Sequence, residues 1–556
     1  MEKVILLGIN CRYTHTNLAL RYQRSAILHH NFQVELLELT INNSLREILE
    51  EIWQAKPDWL AISVYIWNGE IIGKLLRDLK KILPNIKIVL GGPEVSYNWK
   101  KWINNFPEID HIICGNGESV LLDLLKRKIS DKIITAKPIK FSDIDFPYIE
   151  QDFPAIKDKY IYYESSRGCP FRCSYCLSSR SDQRLDFRPI EKVIRELNWL
   201  LEKNPKIIKF VDRTFNAKKS HYKKIWEYLI ALNPKTKFHF EIHPEFLDDE
   251  DFRILESAPK DLFQIEVGIQ STNLHTIDAI NRKDNWEISK KNILRLIDLN
   301  KFHIHTDLIV GLPFEDFDSL AKSFDNIISL GAEHFQMGFL KILPGTEMAN
   351  RIDEFELIHT DYEPYEILQN RWLNFDEIIH LKRIEKLLDK IQNSENFIYT
   401  SKFCYKIFGS AFKFYSQFSL WLETNGFDNR IKNWAKNAEQ LLNFVTEYYP
   451  EQKTLLLDLL KYDWCISSAS DYPKFLLSEN LRNLQIKSQA YLKQFNQSGI
   501  VKYKDFELSV KEIKQANYFQ AETTEFYEFV SIEPKVWMYL KQKVVLGINP
   551  KLILFA

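Results

Sequence analysis

The chain is 556 residues long, room for about two to four domains. Its 74 Lys and Arg against 75 Asp and Glu leave a net charge of −1, which argues against a nucleic-acid binder or a membrane-surface protein. Hydrophobic residues at 45% and charged residues at 27% are those of an ordinary globular protein, and no apolar run is long enough to span a bilayer. The apolar part of the opening MEKVILLGIN is too short for a secretory signal, and seven cysteines without an evident pairing scheme fit a reducing, cytoplasmic setting.

Residues 1–135 alternate short apolar strands with amphipathic helices. Strands are expected at 4–9 (VILLGI), 34–39 (VELLEL), 59–66 (WLAISVYI), 86–92 (IKIVLGG) and 110–115 (DHIICG), with helices such as LALRYQRSAILHH and GKLLRDLKKIL between them. This alternation predicts an α/β fold with a Rossmann-like, doubly wound parallel sheet, whose ligands bind at the carboxyl ends of the strands. Polar and Gly-rich pieces sit at those ends. Arg12, Tyr13, Thr14 and His15 follow the first strand, and Ser63 and Tyr65 close the third. Gly91, Gly92, Pro93 and Glu94 end the fourth, and Gly115, Gly117 and Glu118 the fifth. There is no GxGxxG after the first strand and no GxxxxGK[ST], so a dinucleotide or P-loop site is not expected.

This arrangement resembles the cobalamin-binding domain that precedes many radical S-adenosylmethionine (SAM) domains, in which GGPE and GxGE turns close around the corrin. Glycines let backbone approach a wide, flat macrocycle. The DxHxxG motif of cobalamin-dependent mutases is absent. The resemblance therefore implies cobalamin bound without a histidine on cobalt, its lower face meeting Tyr65 or Trp67. His15 reads equally well as a loop residue capping the next helix or as a cofactor contact. Residues 136–154 lack a regular period and are expected to link two domains.

From Tyr160 strands and helices alternate again, with strands expected at 160–165, 207–212, 237–242, 262–269, 303–312 and 334–342 and helices such as 189–203 and 316–330. The loop after the first of these strands, SSRGCPFRCSYCLSS, gathers Cys169, Cys173 and Cys176. Gly168 and Pro170 argue against a helical stripe, since Pro is tolerated only in a first helical turn. Three thiolates on one loop suit an iron–sulfur cluster with one iron left open, whereas a zinc site needs a nearby fourth ligand and disulfides need an even count. CxxxCxxC with Tyr175 before the last Cys resembles the signature of the radical SAM superfamily.

That resemblance implies a partial (β/α)6 TIM-type barrel over 155–345, with chemistry at the carboxyl ends of its strands. It implies a [4Fe-4S] cluster on Cys169, Cys173 and Cys176, and SAM held by Tyr175, Asp212, Thr214, Glu266, Gln270, Gly311, Leu312 and Pro313. The motifs behind these residues are FVDRTFN, EVGIQS, DLIVGLP and LPGT, and together they resemble the branch that includes oxygen-independent coproporphyrinogen oxidases; the common GGE triplet is missing. Arg213, His239 and Glu241 are candidates for substrate and proton handling. His239, Glu241 and His243 alternate on one strand, and His303, His305 and Asp307 on another. Any strand alternates in this way, so these are expected to line a wet lumen rather than to form metal triads.

Residues 346–556 are expected to be a mainly helical domain without a catalytic motif, including a long helix over 366–392 and a small hairpin within 536–556. The whole is expected to be a cytoplasmic, cobalamin-dependent radical SAM enzyme, methylating an unactivated carbon of a small molecule or peptide. A flavodoxin or ferredoxin is the expected electron donor, with no membrane or nucleic-acid partner. The alternative is a cyclase or rearrangement enzyme without methyl transfer. A tRNA methylthiotransferase would carry a second cysteine set in the first domain, where only Cys11 and Cys114 are available, and a non-enzymatic corrinoid or cluster sensor would leave the SAM-facing residues idle.

Overall fold

The computed structural model describes residues 1–179, 185–427, 433–468, 471–503, 506–540 and 543–548. The chain divides into two compact units, one of residues 1–323, 330–332 and 336–378, the other of 324–329, 333–335 and 379–556. Among the described residues no helix is long and apolar enough to cross a membrane.

The first unit opens with a six-stranded sheet in which each neighbouring pair is parallel: β1 (Glu2–Asn10), β2 (Phe32–Thr40), β3 (Trp59–Ser63), β4 (Lys87–Gly91), β5 (His111–Cys114) and β6 (Ile133–Thr135), ordered β2-β1-β3-β4-β5-β6. The continuous apolar run of β1 reflects burial on both faces. Ile5, Leu7 and Ile9 pack in a core with Ile72 and Leu76 of the helix Gly69–Ile82, while Val4 and Leu6 pack on the other face with Leu20 and Ile27 of α1 (Leu18–Ile27). The chain leaves β1 outward to β2 and returns to β3, so a crevice opens at the carboxyl ends of β1 and β3, where such sheets bind ligands. β3 ends at Ser63, earlier than the apolar run suggests. The Asn68 side chain accepts from the Tyr65 N–H and donates to the Ser63 carbonyl, folding 63–68 into a turn. β6 was not expected; its three residues are too few for periodicity to reveal.

Residues 136–154 are irregular yet packed. Phe141, Ile144 and Tyr148 are buried, the Arg188 guanidinium lies 4.4 Å from the Phe141 ring centroid, and Arg24 pairs bidentately with Asp152.

The second sheet of this unit runs β12-β11-β10-β9-β8-β7, made of β7 (Ile161–Tyr163), β8 (Ile207–Phe210), β9 (Lys237–Ile242), β10 (Phe263–Gln270), β11 (His303–Val310) and β12 (His334–Phe339), with the pairs from β7 to β11 parallel. Helices at Ile190–Leu201, Lys219–Leu232 and Trp286–Asp298 lie between the strands. Along β10 and β11 buried and half-buried residues alternate, whereas in β9 Phe238, His239 and Phe240 are all buried.

The expected helix over 366–392 is corrected. Ile367–Gln369 is a strand and the helix runs Phe375–Ile391. The Asn370 side chain accepts from the N–H groups of Trp372 and Leu373, which breaks the helical path. Asn374 and Glu377 then form a reciprocal cap that starts the helix.

The second unit is mainly helical, with helices at Ile398–Phe408, Ala411–Thr424, Trp434–Tyr448, Lys453–Ser467 and Glu479–Lys493, followed by small antiparallel strands. The hairpin pairs Val536–Leu540 with Lys543–Ile548; the rest of its expected range lies outside the described residues.

Candidate functional site

A cavity of about 620 Å³ lies at the crevice of the first sheet and is closed from the other side by the mouth of the second. Gly91, Gly92, Gly115 and Gly117 line it, with Ser63, Tyr65, Trp67 and Pro93 from the first sheet and Tyr162, Glu164, Arg167 and Arg213 from the second. Gly92 has φ 108°, and a Cβ there would fall 2.5 Å from the Val64 carbonyl oxygen, so the turn after β4 admits no side chain. The Tyr65 and Trp67 rings stack at 4.3 Å with 7° between their planes, and the Trp67 N–H donates to the Ile9 carbonyl. They present a flat aromatic surface, and burial pushes the Tyr65 hydroxyl up to about 12, keeping it neutral.

His15 lines the cavity, and its Nδ1 lies 2.5 Å from the Tyr162 hydroxyl. Burial, with Lys209 and Arg12 nearby, lowers its pKa and keeps the ring neutral. Asn17, rather than His15, caps α1 by accepting from the Leu20 N–H. Arg12, Tyr13, Thr14 and Glu94 do not line the cavity. Tyr13 is exposed under the Lys159 ammonium, and the Thr14 carbonyl accepts from the Tyr160 N–H. Glu94 is buried and accepts from the Tyr365 hydroxyl at 2.6 Å. Glu118 lines the cavity but pairs with Arg167, which also grips Glu164 through two bonds.

The three cysteines occupy one loop that leaves β7 and is pinned by neighbours. The Ser174 N–H donates to the Ile280 carbonyl, and the Ser174 carbonyl accepts from the Met348 N–H. Gly168 has φ 93°, a conformation that lets the chain turn just before Cys169. Cys169 and Cys173 are buried, Cys176 half-buried, and all three are free thiols. Burial pushes the Cys173 thiol up, opposed by the Arg282 guanidinium. Arg213 is exposed where it lines the cavity, among Glu241, Cys176, Glu164 and Cys169. Thr214 Oγ1 is 3.6 Å from Cys169 Sγ. Two guanidiniums beside three thiols suit a thiolate-held iron–sulfur cluster, whose negative charge they offset.

The SAM candidates divide. Gln270 is buried at the end of β10 with φ 72°, and Gly311 has φ 90° with its carbonyl accepting from the Asn370 side chain. Tyr175 is enclosed beside Cys173, and Pro313 follows in the same buried turn as Gly311. Leu312 is fully buried, so only its backbone can face a ligand. Asp212 is wholly occupied elsewhere, because it accepts from the Ser165 N–H and from the hydroxyls of Ser165 and Ser166. Burial raises its carboxyl to about 6 despite those bonds. Its work is to hold the corner where β7 turns toward the cluster loop.

Below the mouth, His239 Nε2 meets Glu266 Oε2 at 3.1 Å, and register sets Glu241 beside Glu266 and Glu266 beside His305. Burial raises the Glu241 carboxyl against the pull of Arg213. Burial, then Glu266 and Glu241, raise Asp307 far more, while His239 holds Glu266 low. Glu266 thus carries charge while Asp307 keeps its proton, a lumen of mixed donors and acceptors. His243 does not join His239 and Glu241; its ring turns toward Phe171.

Two functional residues escaped the sequence reading. Arg282 sits in a loop with no motif around it. Glu315 follows GLP by two positions; it is fully buried and accepts from the hydroxyls of Ser271 and Ser323, joining the turns after β10 and β11. A charged residue inside an otherwise apolar turn was the available signal.

Three protein families match the chain: the B12 binding domain over residues 4–125, the radical SAM superfamily over 163–327, and a family described as protein of unknown function (DUF4080) over 353–545. The cobalamin-dependent radical SAM methyltransferase TokK of Streptomyces tokunonensis is 23% identical over 339 residues, covering 54% of this chain and 50% of its own. The anaerobic magnesium-protoporphyrin IX monomethyl ester cyclase of Cereibacter sphaeroides is 24% identical over 315 residues, covering 50% of this chain and 51% of its own. The chain thus spans about half the length of these relatives. The solved structure of the cobalamin-dependent S-adenosylmethionine radical enzyme OxsB with aqua-cobalamin bound superposes with a TM-score of 0.61 at 14% identity, covering 83% of this chain and 80% of OxsB, which establishes a shared fold. The cofactors of the two domain families are a [4Fe-4S] cluster, SAM and cobalamin, and the cysteine loop and the glycine-lined crevice suit them. One chain thus carries a match to the B12 binding domain ahead of a match to the radical SAM superfamily, the order of domains expected from the sequence motifs.

Proposed function

We propose that the protein is a cytoplasmic cobalamin-dependent radical SAM methyltransferase, acting on an unactivated carbon of a small-molecule or peptide substrate and supplied with electrons by a flavodoxin or ferredoxin. The observation that carries this reading is a single cavity bounded by glycine-lined strand ends on one side and by Arg213 and the end of the cysteine loop on the other. When bound, the cluster supplies the electron that splits SAM into methionine and a 5′-deoxyadenosyl radical, and cobalamin carries the methyl group.

The chain's own residues hold and orient these groups. Cys169, Cys173 and Cys176 anchor the cluster, and Arg282 and Arg213 balance its charge. Tyr175, Thr214, Glu266, Gln270 and the backbone of Gly311, Leu312 and Pro313 hold SAM. Asp212 acts one step behind, through Ser165 and Ser166. Ser63, Tyr65, Gly91, Gly92, Pro93, Gly115, Gly117 and His15 cradle the corrin, and Glu118 braces the cradle through Arg167. Arg213, His239 and Glu241 orient the substrate and manage its protons. The apolar shell around the lumen excludes water that would quench a radical.

Ring closure or rearrangement without methyl transfer is the second reading, favoured by the likeness to the cyclase. Analysis of SAM products with candidate substrates separates the two. A methyltransferase forms both S-adenosylhomocysteine and 5′-deoxyadenosine, because one SAM recharges cobalt and another makes the radical. 5′-Deoxyadenosine alone, with cobalamin bound and substrate consumed, eliminates methyl transfer.

A further inference from the structure

His243 closes β9 and is held there by two backbone bonds to the Asn216 amide, one in each direction. Its side chain is 3% exposed, and neither ring nitrogen has a hydrogen-bond partner among the described residues. Unpartnered buried imidazole nitrogens are costly. The nearest acceptor, Asp284 Oδ2, lies 3.7 Å from Nε2, too far for a hydrogen bond. His243, Asp284 and Glu245 each offer one ligating atom, and these atoms lie within 4.8 Å of one another.

Both carboxylates are oriented from behind, as metal-bound carboxylates are. Asp284 Oδ1 accepts from the Ser289 hydroxyl at 2.7 Å and Glu245 Oε2 from the Asn285 N–H at 3.1 Å, and Asp284 Oδ2 faces His243. The Arg282 Nε lies 3.5 Å from Asp284 Oδ2. Two carboxylates against one guanidinium and a neutral imidazole leave the cluster net negative.

We propose that His243, Asp284 and Glu245 form a site for a divalent first-row cation, distinct from the cysteine loop. One nitrogen and two carboxylate oxygens suit zinc, iron(II) or manganese(II). Ligand bonds of about 2.0–2.2 Å require the three atoms to draw together, which Glu245, half-buried on a turn, can do. The site's role is to brace the cluster loop from its far side. The His243 ring stacks on Phe171, between Cys169 and Cys173, with centroids 4.5 Å apart, and Phe246 touches both rings, 5.5 Å from Phe171 and 4.9 Å from His243.

Manganese(II) is the probe, added to the full-length protein with its cluster in the oxidised, EPR-silent state and cobalamin left out. One equivalent of Mn2+ should leave the six-line signal of the free ion at sub-millimolar concentration, and Zn2+ should displace it. Bound Mn2+ should raise the thermal midpoint. H243Q and E245Q should each weaken binding about tenfold or more while retaining the visible absorption of the cluster. If H243Q fails to assemble its cluster, E245Q decides. An unchanged free-ion signal in the wild type up to about 1 mM, or wild-type binding in E245Q, overturns the site.

Discussion

His15 and Tyr162 tie the loop after the first strand of the corrin-binding sheet to the first strand of the barrel, with Nδ1 2.5 Å from the hydroxyl. That bond engages only Nδ1; what speaks against a cobalt ligand is the missing DxHxxG motif, which would carry such a histidine. The expected outcome is a cob(II)alamin form whose electron paramagnetic resonance spectrum lacks nitrogen superhyperfine splitting. The H15A variant should leave that spectrum unchanged. Superhyperfine lines in the wild type that vanish in H15A would show the opposite geometry.

The cluster prediction separates ligands from charge balance. The triple variant C169A, C173A, C176A should lose the broad visible absorption and the roughly four irons of the reconstituted protein. R282M should still bind iron but assemble less of the cluster, because a buried guanidinium beside Cys173 is lost. Iron content and absorption of the two variants after anaerobic reconstitution check this. Full cluster in the triple variant contradicts the assignment of the loop.

How far these features could be read from sequence follows from their physics. Strands showed where burial on both faces leaves an unbroken apolar run, as in VILLGI, and the cysteine loop showed because Gly168 and Pro170 punctuate it. Roles that depend on which neighbour arrives from elsewhere did not show. Asp212 stands in a motif position yet serves Ser165 and Ser166, and Glu94 belongs to GGPE yet bonds Tyr365, far along the chain. Arg282 has no local pattern at all; only folding brings it to Cys173. The apolar period that suggested a helix from 366 was overridden by two asparagines that satisfy backbone N–H groups with their side chains.

The lumen carboxyls predict an asymmetry. Glu266 is held charged by His239, while burial keeps the proton on Asp307. Replacing a group that is already neutral by its amide changes little, whereas removing a half-buried charge together with its partner's charge-assisted bond costs about 1.5–3 kcal/mol. E266Q should therefore weaken SAM binding about tenfold or more, and D307N should stay within about threefold of the wild type. Equilibrium binding of SAM to the cluster-loaded variants checks this, and equal losses in both would contradict the assigned charges.

Glu315 makes the pH prediction. Burial raises its carboxyl to about 7, against the opposing hydroxyls of Ser323 and Ser271. An unfolded Glu titrates near about 4.3, so between those values the folded chain holds a proton that the unfolded chain has released. The stabilisation from this proton is therefore complete at low pH and is lost as pH rises through about 7. The gap corresponds to roughly 4 kcal/mol at about 1.4 kcal/mol per pH unit, most of it falling between about pH 5 and 8. A carboxylate held low by a cation, such as Glu38 paired with Arg21 against the effect of its burial, acts in the opposite sense, so the total pH profile mixes both signs. The difference between wild type and E315Q isolates the one group, since glutamine mimics the protonated form at every pH. E315Q should gain stability relative to wild type as pH rises from about 5 to about 8, by up to about 3 kcal/mol. Unfolding midpoints of the two proteins across that range give the comparison, and parallel curves would mean that Glu315 is ionised in the folded chain.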